Sequence, residues 1–378
     1  MIPKKLLFYP LIFGLLGAFT GLVLRYAFTG AIQGFPFKNV LHSHSHVLLL
    51  GFIFNALLIL VWTKFTSNID KVSYRYYIAL QVCVSVMLVT FILQGYGFFS
   101  ILFSTLHLWL SYILLVRLWK RLNGNDAINN LIKVGIVFHF LSSIGPYVLG
   151  PLMVFEMQGS PLYEQAIFFY LHFQYFGVFF MWVLALLFER ASVLLSKNHI
   201  VMITVSLLLL FAHSLDYSYD HWLINLVGGL GSILLLIVLL SFNRFYLKNE
   251  SGLRYLYFIL VFVAIMNVLG SFPGIADRVV ESRLLLIGWL HLLFLGLYVP
   301  IIWFFLKKNI RLLIWAFYGF MFISTEIVLI FPGTISKLVP IPIMQLLFLT
   351  YLGVFISICL VHLPLLFERK SRLNQIKK

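Results

Sequence analysis

Three histidines recur with one spacing. His46, His172 and His291 are each followed five residues later by a glycine, Gly51, Gly177 and Gly296. An apolar run after each ends at a basic residue: Lys64, Arg190 and Lys307. His213 stands in a further apolar run. Imidazole is the commonest protein ligand for transition metals and suits iron, copper and zinc. No thiolate or carboxylate accompanies this set, which points to haem iron or copper. His42 and His46 also share one helical face at i,i+4, a spacing that would suit a surface metal. Against these stands a plainer role: each imidazole stays neutral and hydrogen-bonds a neighbouring helix. Ionisable side chains inside a membrane mark function by default, and several at one depth weigh toward a shared cofactor.

The elements that must position them follow from composition. Of 378 residues, 62% are hydrophobic and 10% charged, whereas a soluble domain is about one-quarter charged. A span of hydrocarbon ~30 Å thick takes about 20 apolar residues of helix. Twelve such runs are predicted, at 6–27, 43–63, 76–97, 98–118, 131–153, 166–188, 199–215, 222–242, 254–272, 284–305, 310–331 and 340–366. Strands of a barrel would alternate polar and apolar residues, and these runs do not. The run from Leu6 to Leu24 is too long for a cleavable signal peptide and lacks a small-residue cleavage motif. The expected fold is all-α, one polytopic membrane domain over residues 1–378.

Charge gives the orientation. If the spans alternate from Lys4 and Lys5, one side collects 22 of the 27 Lys and Arg residues. Only Arg25, Lys38, Arg278, Arg283 and Lys337 fall opposite. Basic residues gather on the cytoplasmic side of membrane proteins. Both termini are therefore expected in the cytoplasm, and the net charge of +15 reads as topology, not as a nucleic-acid footprint. At a rise of ~1.5 Å per residue, His46, His172 and His291 lie about 5, 9 and 10 Å below the outer ends of predicted helices 2, 6 and 10. His42, His44 and His221 fall at the outer boundary. The recurrence on every fourth helix predicts three pseudo-repeated four-helix arcs, approximately 1–121, 122–250 and 251–378. Each glycine lies about 140° around an α-helix from its histidine, where it would admit a neighbouring helix.

With histidines on helices 2, 6, 7 and 10, the chain resembles subunit I of the haem–copper oxidase superfamily, in its cbb3-oxidase and nitric oxide reductase branch. The nearest local likeness is Leu41-His42-Ser43-His44-Ser45-His46 running into Gly51-Phe52-Ile53-Phe54-Asn55; the stretch from His213 to Trp222 is only vaguely like the family's helix 7. The resemblance implies a b-type haem with His46 and His291 as axial ligands, with Arg278 and Arg283 beside its propionates. It implies copper, another haem or nothing at His172 and His213. The chain departs from the family where the catalytic binuclear centre would be. Trp289 replaces the second histidine of helix 10, His213 has no adjacent histidine, and Phe176 occupies the position of the family's helix-6 Tyr or Glu. A second twelve-helix family, the NnrS-type haem–copper membrane proteins of the nitric-oxide response, is also similar, though its His-Glu-Met sequence is absent.

The resulting expectation is a membrane haem protein in electron transfer or respiratory O2/NO chemistry, with an incomplete binuclear centre; any catalysis would be that of an oxidoreductase. It would sit among lipid in a bacterial inner membrane, taking electrons from quinol or a cytochrome subunit. Two alternatives remain. One is a secondary transporter, for which twelve helices with internal repeats are common and Glu326 is the clear intramembrane carboxylate. The other is a non-catalytic assembly or NO-response protein. The topology is testable: a cytoplasm-dependent reporter fused after Lys378 should be active, and one inserted in the 272–283 loop inactive.

Overall fold

The structure is a computed structural model that describes residues 4–122, 126–219, 221–307 and 310–367. It is 85% helical, and no strand occurs among the described residues. Twelve helical segments are long and apolar enough to cross a membrane. In chain order, spans 1 to 12 are Lys5–Ala27, Phe37–Phe65, Lys71–Gln94, Phe98–Arg121, Ala127–Val154, Pro161–Arg190, Lys197–Leu215, Trp222–Ser241, Ser251–Leu269, Arg283–Leu306, Leu312–Ile330 and Ile343–Phe367. The chain is thus an all-α polytopic membrane protein. Among the basic residues used for orientation, Lys308, Arg369, Lys370, Arg372, Lys377 and Lys378 lie outside the described residues.

The spans follow the apolar runs with one instructive shift. Span 2 begins at Phe37, six residues before the expected start. Its first turns carry His42, Ser43, His44 and Ser45, polar groups that mask a helix start from a hydropathy reading. His42 and His44 are therefore within the helix, not at its boundary. Spans 3 and 4 are separated at Gly95, whose φ of +58° is a left-handed conformation that glycine adopts without strain. A Cβ there would also meet Asn39 Oδ1 at 2.8 Å. In span 5 the helix Ala127–Ser142 gives way to Ile144–Val154. Pro146 explains the break, because it has no N–H to offer the carbonyl of Ser142.

The chain divides into two compact units. One comprises residues 1–60, 74–110 and 302–378; the other comprises 61–73 and 111–301. In the first, Phe13, Val47, Leu50, Val84, Met87 and Phe91 form a buried core where spans 1, 2 and 3 meet. Tyr351 Oη of span 12 reaches Ala18 O of span 1 at 3.4 Å, and His362 Nδ1 reaches Leu11 O at 3.0 Å. The second unit is organised on span 6, in which 94% of the most apolar window is buried. Span 2 follows at 78%. Each of spans 2, 6 and 10 holds one fully buried tryptophan: Trp62, Trp182 and Trp303. Each indole N–H has an acceptor, at Asn68 O, Ile132 O and His362 Nε2.

At one end of the second unit, Asp70 joins two helices. Its Oδ1 accepts the N–H of Val72 and of Ser73, capping span 3, while Arg117 Nη2 of span 4 donates to both carboxylate oxygens at 3.0 and 3.1 Å. Arg121 pairs with the same carboxylate. The Ser73 N–H, then the Ser73 hydroxyl and the Arg117 guanidinium, hold the Asp70 carboxyl well below the usual carboxylate range. A depressed carboxylate contributes stability above its unfolded value and loses it as pH falls toward the folded one. The melting temperature of the purified protein should therefore drop below about pH 4. Asp70→Asn should lower it at neutral pH by the equivalent of about 1 kcal/mol, typical of a lost cap, and flatten that acid limb.

Candidate functional site: three histidines at the starts of π-helical segments

The three repeated histidines share a backbone feature. Val47–Phe54, Phe173–Phe179 and Leu292–Tyr298 are π-helical, and each begins at the residue after its histidine. Such i→i+5 helix accounts for well under 1% of residues in proteins and concentrates at functional sites. In i→i+5 geometry the wider turn brings residue i+5 nearer to the side of residue i. The glycine of each motif thus comes round to the side of its histidine and does not sit 140° away, as α-helical spacing predicted. It still admits a close neighbour. A Cβ at Gly51 would meet Val84 Cγ1 at 2.8 Å, and one at Gly177 would meet Phe138 Cβ at 2.7 Å.

A widened helix leaves carbonyls to be matched, and side chains match two of them. Asn55 Nδ2 donates to Gly51 O at 2.9 Å and to Gln81 Oε1 at 2.9 Å. The Tyr298 hydroxyl donates to Tyr175 O. The third segment ends just before Pro300, whose missing N–H breaks the ordinary ladder at that point. Burial, carbonyl matching and the proline together over-determine these departures from α-helix.

The imidazoles are used differently. His46 is half-buried. Its Nδ1 lies 2.8 Å from His42 O, and a carbonyl can only accept, so Nδ1 carries the proton and Nε2 keeps its lone pair. The ring stacks on Phe91 at a centroid distance of 4.2 Å and meets Tyr96 edge-on at 5.9 Å. His42 packs on the same two rings, at 6.4 Å and 4.6 Å. His172 is buried, and its Nε2 donates to Leu207 O of span 7 at 2.9 Å. His213 Nε2 reaches Ser232 Oγ at 3.0 Å and Ser271 Oγ at 3.4 Å. Both serine hydroxyls donate to carbonyls, Gly228 O and Asn267 O, so Nε2 is the donor in this group. His172 and His213 thus act as ties between helices. His291, the last residue of an α-helical stretch, is half-buried.

His46 lies in the first unit, and His172, His213 and His291 lie in the second. Counted from the observed starts of spans 2, 6 and 10, the three repeated histidines lie about 14, 17 and 12 Å along their helices. Arg278 and Arg283 are exposed, the first on the short helix Pro273–Glu281 and the second at the start of span 10. The donor set suits a haem ligand at His46 better than it suits copper anywhere. Among the described residues no three of His, Cys, Asp and Glu come together as a metal site, and the Nε2 atoms of His172 and His213 already serve protein acceptors.

Several polar groups of the interior were not singled out by sequence. Gln174, within the second π segment, donates to His139 Nδ1 at 3.1 Å and to Ser142 Oγ at 2.8 Å. His139 Nε2 in turn meets Ser111 Oγ at 2.7 Å. Arg25 is buried over the Tyr351 ring, 5.8 Å from its centroid, within electrostatic reach of Glu326. The sequence signal for Gln174 and Asn55 was present, since amides inside apolar runs need partners; histidine drew the reading past them.

The glycine role can be checked by contrast. Gly177→Ala should lower thermal stability in detergent by about 1–3 kcal/mol, as overpacking does. Gly150→Ala, where nothing lies within 4 Å, should leave stability unchanged or raise it by up to about 1 kcal/mol through helix propensity.

No protein-family model matches the chain, and the curated proteins contain no match to it. The likeness to haem–copper oxidases therefore rests on this chain's own residues.

Proposed function

We propose that the chain is a membrane b-type haem protein acting in electron transfer or respiratory gas chemistry. The observation that carries this reading is His46. An imidazole whose Nδ1–H is fixed to a backbone carbonyl, leaving Nε2 for a metal, is the usual state of a ligating histidine. The repeated π segments support it, because they set His46, His172 and His291 apart from the chain's other histidines. In this reading His46 and His291 would hold the haem iron, and Arg278 and Arg283 would pair with its carboxylates. A bound haem supplies an iron that cycles between two oxidation states. The residues orient the ligand ring: the His42 carbonyl holds it by hydrogen bond, and Phe91 and Tyr96 hold it by contact.

In this reading both termini are cytoplasmic, on the positive-inside distribution, and the membrane is a bacterial inner membrane, on the resemblance and the short loops. Electrons come from quinol or a separate cytochrome. The departures at Trp289, Phe176 and His213 leave the reading without a complete binuclear centre, and copper has no part in it.

The test is an absorption spectrum of protein purified after expression with ample haem. The dithionite-reduced form should show a sharp b-type α-band, as two imidazole ligands dictate. His46→Ala and His291→Ala should each abolish it; His172→Ala should keep it while lowering stability. A colourless wild-type preparation overturns the proposal. It would favour a secondary carrier, for which the buried Arg25 near Glu326 is the supporting feature.

A further inference from the structure

Within the first unit, the starts of spans 1 and 3 and the end of span 12 line a half-open cavity of about 380 Å³. Lys5, Tyr9 and Tyr74 supply its polar groups, and leucines such as Leu365 and Leu366, with Phe8, make the rest of the wall. Two prolines lie beside it. Pro10 has no N–H for the carbonyl of Leu6, and the Tyr77 hydroxyl takes that carbonyl at 2.8 Å, tying span 3 to span 1 beside the cavity. Pro364 interrupts the ladder of span 12 just before Leu365 in the same way.

We propose that this cavity binds the headgroup and upper acyl chain of an anionic phospholipid. On the charge-derived topology these span ends belong to the basic, cytoplasmic side. The Lys5 ammonium is exposed there and can meet a phosphate, and two phenol hydroxyls can donate to its remaining oxygens. Among the described residues no carboxylate lines the cavity and Lys5 is its charged group, which favours an anion. The leucine wall needs an apolar occupant, which a free phosphate does not provide and an acyl chain does. Basic clefts between helix ends at the cytoplasmic surface are the usual seats of such lipids.

Native mass spectrometry of the full chain with equal amounts of phosphatidylglycerol and phosphatidylcholine is the test. Retention of phosphatidylglycerol should exceed that of phosphatidylcholine by about fivefold, the factor one lysine near an anionic headgroup provides. Lys5→Gln should bring the ratio near one, and Tyr74→Phe should lower it. Lys248→Gln, at a basic residue on another stretch of chain, should leave it unchanged. Glycerol phosphate at millimolar concentration should not displace the lipid. Equal retention of the two lipids, an unchanged ratio in Lys5→Gln, or displacement by glycerol phosphate alone would each overturn the assignment.

Discussion

Hydrocarbon offers no water to an unmatched peptide group, so every backbone N–H and C=O in the spans must find its partner within the chain. The rest of the molecule answers to that constraint. Ser85, Thr90 and Ser104 donate back to carbonyls one turn earlier. At two of the three π segments and at Pro10, a side chain supplies a substitute donor. Asn55 supplies one at the first π segment and Tyr298 one at the second. Tyr77 supplies one where Pro10 removes the native donor. A widened turn in this setting is therefore a feature the surrounding side chains maintain, and its recurrence after three histidines is difficult to attribute to chance packing.

The same constraint governs the histidines. Five of the eleven are helix ties, His213 among them. His44 reaches Gly17 O at 2.8 Å. His139 bridges Ser111 and Gln174, and His362 accepts the Trp303 indole N–H while donating to Leu11 O. His172 gives its Nε2 proton to span 7. A count of imidazoles in the membrane therefore overstates the number available for chemistry. His46 differs because its bonded nitrogen is satisfied within its own turn, so fixing the ring consumes nothing from another helix.

What the sequence made legible divides along physical lines. Span number and approximate bounds depend on apolar length, a local property, and all twelve were recoverable. The start of span 2 was not, because Ser43 and His44 are polar yet are matched by Leu88 O and Gly17 O, partners that only folding reveals. The π segments were invisible except as the His-x4-Gly spacing, since α and π turns share composition. Arg25 counted as an outer-loop cation by charge; its burial against Tyr351 depends on a residue 326 positions away. Glu326 was legible as an intramembrane carboxylate, but not as a neighbour of that arginine. The three-arc periodicity belongs to the sequence; the two compact units follow from which distant segments pack together, which spacing along the chain does not encode.

The make-up of the first unit bears on how the protein is assembled. Its spans 1 to 3 leave the ribosome early, but spans 11 and 12, which complete it, come only after the whole intervening unit has been made. Until then Arg25 lacks both Tyr351 and Glu326, and Leu11 O lacks His362. An arginine in that state must reach for the bilayer surface, holding span 1 loosely seated. Biogenesis of this unit is thus a closure in which the last helices lock the first. A chain cut short before span 11 would leave an N-terminal bundle inserted but unfinished, a natural substrate for membrane quality control.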